Sequence, residues 1–165
     1  MQLDHSAPLV AQPGGLVFVG LAGDGEPAPQ EFLLQRVEKI EALRDGVMPH
    51  VPAAIAAFEQ KLAARLREAV KNAPAQDAWD ERIRQEITLF AGKIDVDEEL
   101  SRLASHLTEM RRILAHGGAV GKRLDFLMQE LGREANTVGS KAIDMEITQA
   151  AVGLKVLIEQ MREQI

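Results

Sequence analysis

The strongest constraint on this fold is the abrupt change in helix-breaking residues near position 30. Before it, nine proline and glycine residues leave no room for a helix, and Leu16 to Val19 could form at most one short strand. From Glu31 onward, apolar residues recur at three- and four-residue spacing, the period of helices that bury one face. The sequence therefore predicts an irregular N-terminal segment over 1–30 and an all-α domain over 31–165.

Apolar stripes separated by glycine, proline or capping residues predict an antiparallel bundle of about six helices, arranged as long hairpins because the connections are short. The stripes are Leu33, Val37, Ile40 and Leu43; Ile55, Phe58, Leu62, Leu66 and Val70; Trp79, Ile83, Ile87, Phe90 and Ile94; Leu100, Leu103, Leu107, Met110 and Leu114; Leu124, Leu127, Met128, Leu131 and Ala135; and Ile143, Ile147, Ala150, Leu154, Leu157, Met161 and Ile165.

Acidic residues mark several predicted helix starts. Asp77 or Asp80 can cap the third helix, and Asp95 with Glu98 has the form of a capping box for the fourth. We expect the final helix to begin at about Ala142.

Composition excludes several chemistries. The 165 residues include no cysteine, so a disulfide framework, a thiolate nucleophile and a cysteine-ligated zinc are all ruled out, and a metal must use oxygen or imidazole ligands. No apolar segment approaches the ~18 residues that span a bilayer, and Asp4 and His5 replace the cationic start of a signal peptide. We expect a cytoplasmic protein that binds no membrane.

The net charge of −6 is unevenly distributed. Residues 101–141 hold seven basic and four acidic residues, a local charge of +3, so the remainder carries −9. This basic island indicates where an anionic partner would bind. Its basic members are Arg102, Arg111, Arg112, Lys122, Arg123, Arg133 and Lys141.

The helix predicted over 122–136 has an unusual polar face. Phe126 lies on that face, so either another helix or subunit covers it, or it is a platform for a base. Lys122 and Arg123 lie in the first turn, where the helix dipole disfavours cations. They either pair with Glu130, Glu134 or a neighbouring helix, or they bind a phosphate. The glycines at 117–121 lack the preceding strand and following hydroxyl of a nucleotide-binding P-loop.

His106 is the histidine with the most informative neighbours in the sequence. On the preceding helix it shares one face with Glu99 and Glu109, at the border of the apolar stripe. Such a histidine is either a packing residue, a general base oriented by a carboxylate, or a metal ligand with one or two carboxylates.

Three segments carry a resemblance to a known family. IDVDEELSRLASHLTEMRRIL (94–114), VGKRLDFLMQELGREANTVGSKAID (120–144) and LKVLIEQMREQI (154–165) resemble the C-terminal half of the bacterial YicC family. The resemblance implies a cytoplasmic endoribonuclease that hydrolyses RNA rather than DNA, uses a divalent cation such as Mn²⁺ or Mg²⁺, and forms a ring-like homohexamer around RNA. Relative to that family, the large N-terminal domain is missing, so we expect this chain to be the helical half of a longer ribonuclease.

RNA hydrolysis needs a way to activate the nucleophile, to neutralise the phosphate and to protonate the leaving oxygen. With the resemblance, this chemistry selects three overlapping groups of candidate residues. The catalytic candidates are His106, Glu99, Glu130 and Asp125; the metal candidates are Glu99, His106, Glu109 and Glu134; and the RNA or phosphate candidates are Arg112, Lys122, Arg123, Phe126, Arg133 and Lys141.

Two other functions remain open at this point. The helices could form a non-catalytic module for oligomerisation and RNA docking, which the basic island and Phe126 would suit. They could also form a protein-interaction bundle with no role in RNA binding.

Overall fold

The computed structural model describes residues 29–165 in full, together with the backbone of two short strands, Ala11–Gln12 and Gly15–Phe18. It confirms the all-α class. The rest of the predicted irregular segment lies outside the described residues, and the boundary near residue 31 stays a prediction. The helices are α1 (Pro29–Val47), α2 (Val51–Val70), α3 (Gln76–Ile94), α4 (Asp97–His116), α5 (Gly121–Lys141) and α6 (Met145–Arg162), with a 3₁₀ turn at Met48–His50.

Four of these helices, α1, α4, α5 and α6, form the bundle and bury its core. Neighbours run antiparallel: the last residue of α5, Lys141, contacts Glu99 in the first turn of α4, whereas Arg123 near the start of α5 contacts Glu109 further along α4. The predicted stripes of α1, α4, α5 and α6 supply the buried side chains, which confirms that these helices pack through the faces expected from their period. The largest fully buried side chains are Leu33, Ile40, Leu100, Leu103, Leu107, Met110, Leu114, Leu124, Met128, Leu131, Ile147 and Leu154.

The remaining two helices, α2 and α3, form a hairpin that joins this bundle through the first turn of α2, where Val51 and Ala54 belong to the core. Among the described residues, each of these two helices makes its most extensive helix–helix contact with the other. Ile83 is the buried residue of α3, while Trp79 and Phe90 stay 39% and 40% exposed. The predicted bundle and long hairpins are both present, and the apolar stripe of α3 is only partly buried because a helix with one extensive neighbour cannot bury a whole stripe.

Helix starts differ from the predicted caps at three places. Ala75, in the left-handed conformation with φ 60°, precedes α3, and neither Asp77 nor Asp80 caps it. Asp95 accepts a hydrogen bond from the Asp97 N–H at 2.9 Å, one residue before the cap position of α4. Asp144 caps α6 by accepting from the Ile147 N–H at 2.9 Å, so this helix begins later than the predicted Ala142.

Two short strands precede the helices in the chain, and a third lies between α4 and α5. The strand predicted at Leu16 to Val19 is β2 (Gly15–Phe18), and it pairs antiparallel with β1 (Ala11–Gln12) and with β3 (Gly118–Ala119). The sequence predicted only one strand, because two-residue strands have no periodicity to detect. Gly117 and Gly118 have positive φ values, 67° and 86°, which lets the link between α4 and α5 turn within a few residues.

A histidine held between two carboxylates ties the turn before α2 to the start of α6. His50 Nε2 lies 2.5 Å from Asp144 Oδ2, and its Nδ1 lies 3.0 Å from Glu146 Oε2. The hydrogen bond with Asp144 raises the pKa of His50, more than burial lowers it. Burial raises the pKa of Asp144. The hydrogen bonds from the Ile147 N–H and from His50 together lower this pKa by more than burial raises it, so the net shift is downward.

We expect this contact to make stability depend on pH. Because the folded pKa of His50 lies above its ordinary value of 6.5, its stabilisation is fully present below that pH and is lost as the pH rises through the raised pKa. Asp144 also adds stability, because its folded-state pKa is lowered. This stability is lost only when the pH falls through that lowered pKa. Urea unfolding should show that His50→Gln costs more free energy at about pH 5.5 than at about pH 9. His116→Gln is the control, and an equal cost of His50→Gln at both pH values would contradict the expectation.

Candidate functional site

The polar residues of α4 and α5 meet at one side of the seam between the two helices. On α4, Glu99 and His106 lie two turns apart and therefore on one face. On α5, Glu130 and Glu134 lie one turn apart on the face that meets them. The apolar stripes of the same helices pack alongside, so the polar group lies at the edge of the core rather than on an open surface.

His106, Glu130 and Glu134 form the centre of this site, which we call the His–Glu cluster. One ligand atom from each residue lies within 4.8 Å of the others. Glu134 is buried, whereas His106 and Glu130 are partly exposed. His106 Nε2 is itself buried and has no hydrogen-bond partner among the described residues. A buried, unpartnered nitrogen is costly, so this atom is available to a proton or a cation.

Glu99 extends the cluster toward the start of α4. Its side chain is only 3% exposed, and its Oε1 accepts a hydrogen bond from Lys141 Nζ at 2.7 Å. The other oxygen, Oε2, is buried without a hydrogen-bond partner within the described part of the chain. Lys141 also donates to the Asp95 carbonyl at 3.2 Å, which fixes its ammonium at the junction of the two helices.

Arg102 joins the two carboxylates that lie deepest in the site. Its Nε is 3.0 Å from Glu134 Oε1, and its guanidinium reaches Glu99 Oε1 at 4.0 Å and Glu98 Oε1 at 2.6 Å. Burial lowers the pKa of Arg102, but the hydrogen bond with Glu134 and the surrounding carboxylates raise it overall. At the outer edge, Arg133 approaches Glu130 at 3.6 Å. Arg102 was not among the candidate residues, although its spacing from Glu99 and His106 placed it on their face.

The structure separates Asp125 and Glu109 from this cluster. Asp125 is exposed and accepts a hydrogen bond from Gln129 at 3.0 Å. Glu109 pairs instead with Arg112 at 2.6 Å and Arg123 at 3.3 Å. The hydrogen bond from Arg112 lowers the pKa of Glu109, and the Arg123 charge adds to that effect. Glu109 is therefore a fixed carboxylate in another group.

This second group, the Phe126 patch, consists of Glu109, Arg112, Lys122, Arg123 and Phe126. Part of it lines a shallow groove of about 310 Å³. Phe126 is 59% exposed, so nothing in the described part of the chain covers it. The groove therefore combines an open aromatic ring with the cations predicted at the start of α5.

Most of the basic island is neutralised. Lys122 is the only one of its seven basic residues without an ion pair among the described residues; the other six contact carboxylates. The predicted salt-bridging alternative is realised for Arg123, whose partner is Glu109 on the neighbouring helix α4.

The structure describes an all-α domain with a histidine–carboxylate cluster between two antiparallel helices, and none of its described helices is long and apolar enough to cross a membrane. Residues 47–165 match the family described as endoribonuclease YicC-like, C-terminal, so the chain belongs to this family.

Two relatives extend the match beyond that range. The chain is 45% identical over 148 residues to a probable endoribonuclease YicC of Haemophilus influenzae, covering 90% of this chain and 50% of that protein. It is 32% identical over 135 residues to a probable endoribonuclease YicC of Clostridioides difficile, covering 82% of this chain and 43% of that protein. The chain therefore spans about half the length of these relatives.

The contact between Glu99 and Lys141 should dominate the stability of this site. Lys141→Met would leave a buried carboxylate without its closest cation and should lower the free energy of unfolding by about 3 kcal/mol. Adding Glu99→Gln should recover most of that loss, because the amide needs no counter-charge. Lys71→Met, which breaks an exposed pair with Glu68, should cost less than about 1 kcal/mol. Chemical denaturation measures all three, and a double variant no more stable than Lys141→Met would contradict the assignment.

Proposed function

We propose that this chain is the helical part of an endoribonuclease that hydrolyses RNA phosphodiester bonds with the help of a divalent cation. Membership of the YicC-like family and the names of the two relatives support the reaction class. The observation that carries the proposal is the convergence of His106, Glu130 and Glu134 from two helices, next to the buried Glu99.

The donor atoms of the His–Glu cluster fit a divalent cation. One imidazole and two carboxylates lie close enough to share an ion, and His106 Nε2 has no competing partner among the described residues. Carboxylates suit Mg²⁺ and Mn²⁺, and the imidazole favours Mn²⁺ of these two. His106, Glu130 and Glu134 would hold the cation, and Glu99 would add negative charge nearby. Once bound, the cation supplies Lewis acidity at the phosphodiester.

The chain's own residues account for the remaining parts of the reaction. In the route where the 2′-hydroxyl attacks and His106 holds no cation, His106 Nε2 accepts the proton of the attacking oxygen and returns it to the leaving 5′-oxygen. Arg102 and Lys141 pair with Glu134 and Glu99 and hold these carboxylates in position, so neutralisation of the phosphate falls to a weakly paired cation such as Arg133. The attacking oxygen is either water or the 2′-hydroxyl of the RNA itself. Only the second route leaves cyclic phosphate ends, so analysis of the product ends separates the two.

The proposal extends to a homohexameric assembly in the cytoplasm, as the family resemblance implies. Exposed apolar side chains on the α2–α3 hairpin support self-association, because Trp79, Leu89 and Phe90 would gain stability if another surface covered them.

Manganese binding tests the assignment of ligands. Mn²⁺ at about 100 times its dissociation constant should stabilise the wild-type chain by about 2.7 kcal/mol, because only the folded state brings the ligands together. Glu130→Gln with Glu134→Gln should abolish this stabilisation, while Glu68→Gln on α2 should retain it. Calorimetric titration and thermal unfolding measure the effect, and equal stabilisation of all three proteins would place the ion elsewhere.

RNA cleavage tests the reaction itself. With Mn²⁺, the chain should cut single-stranded RNA internally, and chelation should stop the reaction. His106→Ala should slow cleavage by about 10²- to 10⁴-fold, the usual contribution of a positioned acid or base, and Glu130→Gln should also lose activity. Gel analysis of end-labelled RNA provides the rates.

The control for cleavage is His116→Ala, which removes an exposed histidine whose Nδ1 contacts the Arg112 carbonyl. It should cleave at the wild-type rate. Intact RNA after incubation of the wild-type protein with Mn²⁺ or Mg²⁺ would exclude catalysis by this chain.

A second function, RNA docking without cleavage, is favoured by the Phe126 patch. An open aromatic ring beside Lys122 and Arg123 can stack on a base while the cations face phosphates. Binding that weakens with salt but yields no product would support this second function over the first.

A further inference from the structure

A polar groove lies between α5 and α6, further toward the C-terminus of α5 than the Phe126 patch. It has a volume of about 570 Å³. The solvent-facing strip of α5, including Arg133, forms one wall, and the C-terminal half of α6 forms the other. The residues that line it are Gln129, Gly132, Arg133, Asn136, Thr137, Lys155, Ile158, Glu159 and Arg162.

Cations from both helices face this groove. Lys155 and Arg162 lie seven residues apart on α6, which places them on one face about 10 Å from each other along the axis. Lys155 has no ion-pair partner among the described residues. Arg133 and Arg162 have only long contacts, 3.6 Å to Glu130 and 4.0 Å to Glu159. The groove therefore carries three cations and one carboxylate, Glu159, and none of the three is held in a short ion pair.

Gly132 leaves the α5 backbone open to the groove. It lies in the middle of α5, where glycine costs about 0.5–1 kcal/mol relative to alanine. Gly153 on α6 has a packing reason, because a Cβ there would lie 2.9 Å from Leu43 Cδ1, whereas a Cβ on Gly139 would only be in ordinary contact with Lys155 Nζ at 3.4 Å. A Cβ on Gly132 would meet no protein atom within 4 Å. Bare backbone facing an open polar groove is typical of a place where a ligand approaches closely.

We infer that the α5–α6 groove binds the sugar–phosphate backbone of a single RNA strand and leads it to the His–Glu cluster. Arg133 belongs to both places, because it lines the groove and contacts Glu130 of the cluster. Charge complementarity selects a polyanion, and a groove between two adjacent helices admits one strand rather than a duplex. The groove has no aromatic lining residue on which a base could stack, and its three cations favour contacts with phosphates. This inference rests on the proposed function for the identity of the polyanion.

Salt-dependent binding tests the groove separately from the chemistry. The probe is a short single-stranded oligoribonucleotide with methylated 2′-oxygens. Its binding is measured by fluorescence anisotropy in the presence of a chelator, so that no cleavage occurs. Each lost phosphate contact should reduce the slope of log K against log salt by about 0.7. Lys155→Gln with Arg162→Gln should therefore weaken binding and flatten the slope by about 1.4. Lys61→Gln with Arg65→Gln, two exposed cations on α2, is the matched control and should bind like wild type.

Two further variants should change RNA affinity in ways that damage to the fold would not produce. Glu159→Gln should tighten binding, because it removes the one carboxylate that faces the phosphates. Gly132→Leu should weaken binding while the protein becomes more resistant to unfolding, since leucine favours helix over glycine and has open space to occupy.

The outcomes separate the two proposals. Binding that depends on Lys155 and Arg162 without any cleavage by the wild-type chain would support the groove and overturn the proposed reaction. Cleavage by a wild-type chain whose RNA binding is unaffected by changes at Lys155, Arg162 and Glu159 would overturn the groove alone. Absence of RNA binding by the wild-type chain would also overturn it.

Discussion

The antiparallel packing of α4 against α5 brings every group of the His–Glu cluster into place. The two helices share an apolar seam that includes Leu103 and Leu131, and this seam sets their register. In that register the last residue of α5, Lys141, meets the buried Glu99 at the start of α4. A slip by one helical turn would move Lys141 away from Glu99 and leave a charge in the core without its counter-ion. The ion pair thus makes the packing specific, and the packing holds the cluster.

The sequence predicted one half of the site better than the other. His106 and Glu99 could be assigned to one face because both lie on the same helix, where the period of 3.6 residues determines orientation. Glu130 and Glu134 needed the register between helices, which no local pattern contains. Asp125 was chosen for its chemistry, but at 100° per residue it points about 140° away from Glu130. Glu109 was chosen for its spacing, yet Arg112 and Arg123 neutralise it.

The count of charges along the chain did not predict which cations are available to a ligand, because many of them are paired in the folded structure. The basic island has a formal excess of cations, but nearly all of them pair with carboxylates, some as distant in sequence as Glu41, which holds Arg111 at 2.6 Å. Lys155 and Arg162 lie outside that island in a segment with no excess of positive charge, and they line the groove with only long or no ion pairs among the described residues. The positive potential available to a ligand therefore depends on which cations are already paired.

The α2–α3 hairpin has a different relation to the rest of the fold. Its helices pack on each other and continue from the bundle through the 3₁₀ turn that carries His50, so its apolar contacts are largely its own. A unit with one layer of contact and half-exposed aromatic residues has a lower free energy of local opening than the four-helix core. We therefore expect the hairpin beyond the first turn of α2 to open at a lower free energy than the four-helix core. Backbone amide hydrogens of α2 and α3 would exchange with solvent when the hairpin alone opens. Those of α4 and α5 would exchange only through global unfolding.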